Sequence, residues 1–371
     1  MSPQRHTLAV FIGRFQPFHI GHRAVMEQAE TFADSALIIV GSAYRARSPK
    51  NPLTYPERVQ MIKAGLHDIA LPVATLPLVD TLYDDHAWAA NVRAAVALHL
   101  RNARLDPAVT QIVLTGYEKD KSSAYVRWFP EWPWNGAPVT THNGETVSAT
   151  DLRHALYDTA GSQPEKHLTE RFGARHVAAV QAWVGTHPAE VAHLRNEAAF
   201  IKQYQTRIKQ SEAVHGYPIP ANTADAVVVH SGHILLVERG QTPGKGLLAL
   251  PGGYIDRHET ALEAACRELS EECSLDLTEP MLRDTLRDRH VFDHPDRAER
   301  GWVRTEAFLF DLQPLPKRPD VRGGDDAAGA LWVPVSTLLP DRMFEDHFDI
   351  IQTMVPGVPF AFASVLQTHA T

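Results

Sequence analysis

Short β-branched runs alternate with amphipathic stretches through the first half of the chain. Residues 8–12 precede a helical pattern from about Ile20, residues 36–40 precede one from about Tyr55, and residues 73–79 precede one over 86–99, with a further apolar run at 111–115. This alternation predicts a parallel sheet covered by helices, because parallel strands need a crossover and a helix supplies it compactly. From about Glu165 to Gln210 the pattern is helical, and Tyr217-Pro218-Ile219-Pro220 breaks it. The second half changes character. Strand-like runs at 224–229 and 234–238 flank a turn at Ser231-Gly232-His233, a glycine-rich loop leads into one amphipathic helix, and strands follow at 303–312 and 330–333. That order predicts an α+β domain with a mixed sheet. The expected organisation is an α/β domain over 1–185, a helical linker over 186–212, an α+β domain over 213–345 and a tail over 346–371, to which the sequence assigns no role.

Composition narrows the classes. The 371 residues are 44% hydrophobic and 22% charged, which suits globular domains and excludes disordered and fibrous chains. Lys and Arg number 36 against 44 Asp and Glu, a formal charge of −8, and no basic run is present to track a phosphate backbone. Nucleic acid is therefore not an expected partner. Cys266 and Cys273 lack metal-ligand spacing and cannot form a disulfide framework, which fits a reducing compartment and a packing role. No apolar run reaches the ~20 residues that span a bilayer, and the start of the chain enters a strand pattern without a signal-peptide core. The expectation is a cytoplasmic protein without membrane contact.

The first candidate site follows the first strand, in Gly13-Arg14-Phe15-Gln16-Pro17-Phe18-His19-Ile20-Gly21-His22. A helix start at the carboxyl end of a parallel strand binds phosphate through its free N–H groups and dipole. His19 and His22, three apart, face the same anion on that first turn. The Ser148-Ala149-Thr150-Asp151-Leu152-Arg153 run is a second capped helix start, with Arg153 one turn beyond Ser148 and Thr150. After the third strand, Asp80 is suited to a ribose hydroxyl or carboxamide and Trp88 to stacking on a flat ring, although a tryptophan on such a helix is also an ordinary core residue. The string 13–22 resembles the HxGH signature of the nucleotidylyltransferases, and in its longer form the archaeal-type nicotinamide mononucleotide (NMN) adenylyltransferases. The resemblance spans about 8–155 and includes Gly41-Ser42-Ala43 with Arg47, Asn51-Pro52-Leu53-Thr54, Glu57-Arg58, Gly116-Tyr117-Glu118-Lys119-Asp120 and Ser122-Ser123. It implies a Rossmann-like fold and an ATP site of Gly13, Arg14, Phe15, His19, His22, Ser148, Thr150 and Arg153. It further implies catalysis by His19, His22 and Arg153, and an NMN site of Asp80, Trp88 and Arg47.

The second candidate site lies in Gly252-Gly253-Tyr254-Ile255-Asp256-Arg257-His258-Glu259 and the helix after it. Between 253 and 277 stand seven acids against two arginines. Glu268, Glu271 and Glu272 are related by i,i+3 and i,i+4, so they share a helix face, where like charges repel by about 0.2–0.5 kcal/mol per pair. Three carboxylates beside a glycine loop suit a hard cation, Mg²⁺ first and Mn²⁺ as the alternative. A solvated glutamate-rich surface is the plainer reading of the three glutamates alone. The whole string resembles the Nudix box, with Gly253, Glu259, Arg267, Glu268, Leu269, Glu271, Glu272 and Leu275 in register and Ser274 in place of the last glycine. The resemblance implies metal binding by Glu268, Glu271 and Glu272, catalysis by Glu271 and Glu272, and an Arg267 that orients glutamates. If position 274 is left-handed, serine there costs roughly 1–2 kcal/mol.

Together the two signatures resemble the family of bifunctional NMN adenylyltransferase/Nudix hydrolases. That resemblance implies NAD⁺ and pyrophosphate from ATP and NMN, and Mg²⁺-dependent hydrolysis of ADP-ribose to AMP and ribose 5-phosphate. Association into a homo-oligomer is left open. Two alternatives stand beside it: a nucleotidylyltransferase with another acceptor, such as the cytidylyltransferases or pantetheine-phosphate adenylyltransferases serve, and a Nudix domain that senses a nucleotide diphosphate without cleaving it.

Overall fold

The computed structural model describes residues 5–117, 126–157, 165–313, 315–324 and 327–358, and the chain divides into two compact units between Arg195 and Asn196. The N-terminal unit contains β1 (His6–Gly13), α1 (Ile20–Ala29), β2 (Ser35–Val40), α2 (Tyr55–Gly65), β3 (Val73–Pro77), α3 (Asp85–Asn102), β4 (Thr110–Gly116) and β5 (Trp134–Gly136). A small hairpin of β6 (Thr141–His142) and β7 (Glu145–Thr146) follows, then α4 (Ala149–Tyr157), α5 (Glu165–Phe172) and α6 (Ala174–Thr186). Strand order is β3-β2-β1-β4-β5, all parallel, as the alternation of strand and helix patterns predicts. Leu8, Ala9 and Val10 are fully buried because a parallel sheet is covered on both faces. The order reverses between β1 and β4, and the crevice outside their carboxyl ends is where such sheets take ligands.

The single helical stretch expected over 165–210 is three helices. Gly173, at φ 87°, separates α5 from α6, and His187 ends α6 before α7 (Pro188–His215), within which the division between units falls. A glycine adopts that left-handed backbone without a Cβ penalty.

The C-terminal unit holds β8 (Ala221–His230), β9 (His233–Arg239), β10 (Leu248–Ala249), β11 (Gly252–Tyr254), α8 (Ala261–Cys273), α9 (Glu279–Asp284), β12 (Leu286–Phe292), β13 (Val303–Asp311), β14 (Ala327–Pro334) and α10 (His347–Met354). Its sheet is mixed: β8 pairs parallel with β13 and antiparallel with β9 and β11. Thr260 and Glu263 form a reciprocal capping box that starts α8, and Ala264, Ala265, Leu269 and Cys273 give it a buried stripe against the sheet. Cys266 and Cys273 are buried free thiols. The segment after 346 begins as α10, with Ile350 and Ile351 fully buried. Among the described residues no helix is long and apolar enough to cross a membrane.

Candidate functional site

At the end of β1 the chain turns through Arg14–His19 and starts α1, with His19 as the N-cap. The His19 Nδ1 accepts the Gly21 N–H at 3.1 Å, and the His22 Nδ1 accepts the His19 N–H at 3.2 Å. The rings lie 3.7 Å apart, centroid to centroid. A neutral imidazole that accepts at Nδ1 carries its proton on Nε2, so both rings are Nε2–H donors. His19 is 1% exposed and His22 half-buried.

Buried arginines hold this corner. Arg58, 1% exposed, donates to the carbonyls of Arg14, Gly41 and Ser42 at 2.7, 2.6 and 3.2 Å, tying the ends of β1 and β2 together. Burial lowers its pKa to about 10. Arg153, on α4, donates to the Gln16 carbonyl and to the Thr150 hydroxyl, so the second helix start lies against the first loop. Ser148 Oγ accepts the Thr150 N–H. Asp80 accepts the Ser42 N–H at 3.1 Å and faces Arg45 at 3.6 Å.

Three of the expected ligand residues also pack or pair within the protein. Phe15 has a φ of 52° and is 2% exposed, its ring wedged among Phe11, Phe18 and His22, so the ring supports the histidine from below and presents no surface to a nucleotide. Arg47 turns to Glu57 in a bidentate pair at 2.8 and 2.9 Å and to the Pro52 carbonyl, while Arg45 is the arginine beside Asp80. Trp88 is half-buried against Phe129, which in turn stacks on Trp132, so its ring serves packing as well as any ligand. Gly13 ends β1 and Arg14 after it is exposed. Residues 118–123 of the sequence motif lie outside the described residues.

In the C-terminal unit a cavity of about 350 Å³ is lined by Thr223 and Asp225 of β8, Gly252 to Tyr254, Glu268 and Glu272 of α8, and Arg239, Arg297, Arg300, Glu345 and His347. A Cβ on Gly253 would meet the Glu268 carboxylate, and one on Gly252 the Ala224 carbonyl, which is why glycines stand there. Arg267 donates to Glu259 through Nη2 at 2.8 Å, and its Nη1 is shared by Glu268 and Glu271, each at 2.9 Å. Glu272 accepts the Gly252 N–H at 3.0 Å.

The carboxylates therefore differ. Burial pushes Glu272 up to about 7; the Gly252 N–H opposes this, while the charges of Glu268 and Asp225 add to it. Burial raises Glu268 as well, and Arg267 holds Glu259 below the usual range. Asp225, donated to by the Thr305 hydroxyl at 2.6 Å, is raised by burial to about 6. Glu268 and Glu272 line the cavity, Glu271 is 43% exposed, and Arg267 pairs with both Glu268 and Glu271. Among the described residues no three His, Cys, Asp or Glu side chains are placed to hold a metal together. The donor set nonetheless fits a hard cation, since Glu268 and Glu272 are half-buried oxygen donors and the charge of Glu268 disfavours that of Glu272.

Sequence reasoning missed the opposite wall. Arg297 and Asp346 form a buried bidentate pair at 3.0 Å, and His347, whose Nδ1 accepts the Leu250 N–H, is held well below its usual pKa by burial beside Arg297, Arg239 and Arg300. Burial raises Glu345 to about 7. The available signal was the run Glu345-Asp346-His347 inside an apolar stretch, since charged residues in such a setting are buried only with partners. Ser274 does sit in the left-handed region, at φ 48° and ψ 39°, as the C-cap of α8.

Comparison with known proteins places two family models on the chain, Cytidylyltransferase-like over 10–155 and NUDIX domain over 220–354. A nicotinamide/nicotinic acid mononucleotide adenylyltransferase of Acinetobacter baylyi is 35% identical over 151 residues, 40% of this chain and 74% of that protein. An ADP-ribose pyrophosphatase of Methanocaldococcus jannaschii is 33% identical over 156 residues, 41% of this chain and 85% of that one. Among solved structures, a bifunctional NMN adenylyltransferase/ADP-ribose pyrophosphatase of Francisella tularensis, complexed with AMP and Mn ion, matches with a TM-score of 0.81. It is 30% identical and covers 95% of this chain and 100% of that one.

Proposed function

The chain belongs to the family of bifunctional NMN adenylyltransferase/ADP-ribose pyrophosphatases, and from that membership we propose how its own residues carry the two reactions. Its two domains are an NMN adenylyltransferase and a Nudix ADP-ribose pyrophosphatase.

In the first domain the 5′-phosphate of NMN attacks the α-phosphorus of ATP and pyrophosphate leaves. The protein has to hold two anions in line and stabilise the spreading charge; it need not supply a nucleophile. His19 and His22 do this through paired Nε2–H groups at the N-terminus of α1, with the Arg14 side chain, the Gly13 backbone, Ser148, Thr150 and Arg153 completing the ATP site. Asp80 with Arg45 forms the acceptor end, and Trp88 borders it. Arg47 acts on this site by fixing Glu57 and the loop before α2. The observation that carries the reading is the 3.7 Å histidine pair at the carboxyl end of β1, beside the switch point of the sheet.

In the second domain ADP-ribose and water give AMP and ribose 5-phosphate. Glu268, Glu271 and Glu272 would hold Mg²⁺, with Mn²⁺ as a substitute. A bound divalent cation neutralises the diphosphate and activates water. Arg267 orients Glu259, Glu268 and Glu271, and Arg239 and Arg300 supply positive charge on the opposite wall. One of these glutamates or a nearby carboxylate would accept the proton from water. A cytoplasmic location belongs to the same reading and is supported by the buried free thiols.

Chromatography of the purified chain with Mg²⁺ tests this directly. ATP plus NMN yields NAD⁺ and pyrophosphate, and ADP-ribose alone yields AMP and ribose 5-phosphate. NAD⁺ without AMP would leave the C-terminal domain as a sensor, and absence of NAD⁺ would redirect the first domain to another acceptor.

A further inference from the structure

The cavity beside Glu268 and Glu272 is built from charge, and three aromatic rings line it: Tyr254, Phe344 and His347. Phe344 is 4% exposed and His347 7%, so neither offers a face, whereas Tyr254 is 49% exposed. Exposure of a large ring is ordinary in a loop, but Tyr254 is not in one. It ends β11, registered against Thr223 of β8, and its carbonyl accepts Arg267 Nη2 at 3.1 Å. Its hydroxyl hydrogen-bonds the Tyr204 hydroxyl at 2.9 Å. Tyr204 stands on the half of α7 that belongs to the C-terminal unit, stacked with Phe200. That half is itself anchored: Glu197 accepts the Gly244 N–H with both oxygens, and Gln205 donates to the Glu299 carbonyl. Burial pushes the Tyr204 phenol up to about 12, so this hydroxyl stays neutral across the working pH range. A ring fixed at its backbone and at its hydroxyl, with its face left open at the rim of a charged cavity, has the form of a stacking platform.

Resting on the ADP-ribose reading above, we propose that the Tyr254 ring is the face on which the purine of the substrate stacks while its diphosphate lies at the carboxylates, and that Tyr204 is the positioning residue for that ring. The chemistry matches, because a flat base gains from a π-face without needing a specific hydrogen-bond pattern, and its loss costs roughly five- to a hundredfold in affinity. Selection then acts on the flat base end of the diphosphate and little on the cleavage step.

Steady-state hydrolysis of ADP-ribose by the full chain tests this, with NAD⁺ synthesis by the same preparation reporting that the chain is folded. Tyr254→Ala raises KM about tenfold and leaves kcat within about twofold. Tyr254→Phe and Tyr204→Phe each keep the Tyr254 ring but remove the one hydroxyl contact that fixes it, so both raise KM by about two- to threefold, well short of Tyr254→Ala. An unchanged KM in Tyr254→Ala, or a Tyr254→Phe variant as impaired as Tyr254→Ala, overturns the assignment while the activity itself stands. A wild-type chain that does not cleave ADP-ribose removes the reading beneath it and the platform together.

Discussion

The imidazoles of His19 and His22 lie 3.7 Å apart with each Nδ1 occupied by a backbone N–H, so one nitrogen of each ring is spent on starting α1 and, on the reading proposed above, the other meets the phosphates. Capping and anion binding are thus separable. His19→Asn retains a capping oxygen and should keep the stability of the chain, while His19→Ala loses about 1 kcal/mol of capping energy. Both should lower NAD⁺ synthesis by at least a hundredfold. Thermal melts beside the synthesis assay separate the two effects, and a His19→Asn variant with near wild-type synthesis would remove His19 from the site.

Arg58 has no exposed surface to speak of and serves three carbonyls at the ends of β1 and β2. Arg58→Met leaves those acceptors without their donor in a buried corner, which costs about 3–5 kcal/mol. Urea unfolding should show this loss together with reduced NAD⁺ synthesis. A stable variant with normal synthesis would contradict the bracing role.

Ser274 occupies a left-handed C-cap at φ 48°. Ser274→Gly should therefore stabilise the C-terminal unit by about 1 kcal/mol with hydrolysis unchanged. Since the carboxylates already hold their spacing, a large gain in kcat on this substitution would show that serine distorts the site.

Glu272 lines the cavity, and Glu271 is 43% exposed and paired with Arg267. Glu272→Gln should reduce Mg²⁺-dependent hydrolysis by about 100-fold and Glu271→Gln by about tenfold, with NAD⁺ synthesis spared. Titration of Mg²⁺ in the hydrolysis assay checks the order; equal, small effects would take both residues out of the metal site.

His176 on α6 is 5% exposed beside Phe18, and burial lowers its pKa to about 4. The unfolded chain takes up this proton near pH 6.5 and the folded chain only near 4. The stabilisation is thus complete above pH 6.5 and declines as pH falls from there to 4, by about 3 kcal/mol in total. Urea unfolding of His176→Leu between pH 4 and 7 should show a flatter pH dependence for the N-terminal unit, and identical slopes would contradict this.

Both sheets were legible in the sequence because their strands are short apolar runs bounded by turns, and both motifs because their chemistry is local: His19 and His22 share one helical turn, and Arg267 to Glu272 share one helix face. What was not legible is what the fold brings together from afar. Asp225 reaches the Nudix cavity from β8, and Arg297 meets Asp346 across 49 positions, with nothing in the spacing to announce either. Strand β12, Leu286–Phe292, was missed because its burial pattern has one buried position in seven, so it carries no strong hydrophobic run. Phe15 and Arg47 were placed at ligands on the strength of the motif, and their packing beneath His22 and pairing with Glu57 were not legible there.

The claim that two separate sites on one chain perform two separate reactions is tested most directly by a crossed assay. NAD⁺ synthesis and ADP-ribose hydrolysis are measured in the wild type, in His22→Ala and in Glu272→Gln. His22→Ala should lose synthesis and keep hydrolysis, and Glu272→Gln should do the reverse. Loss of both activities in either folded variant would contradict the independence of the two sites.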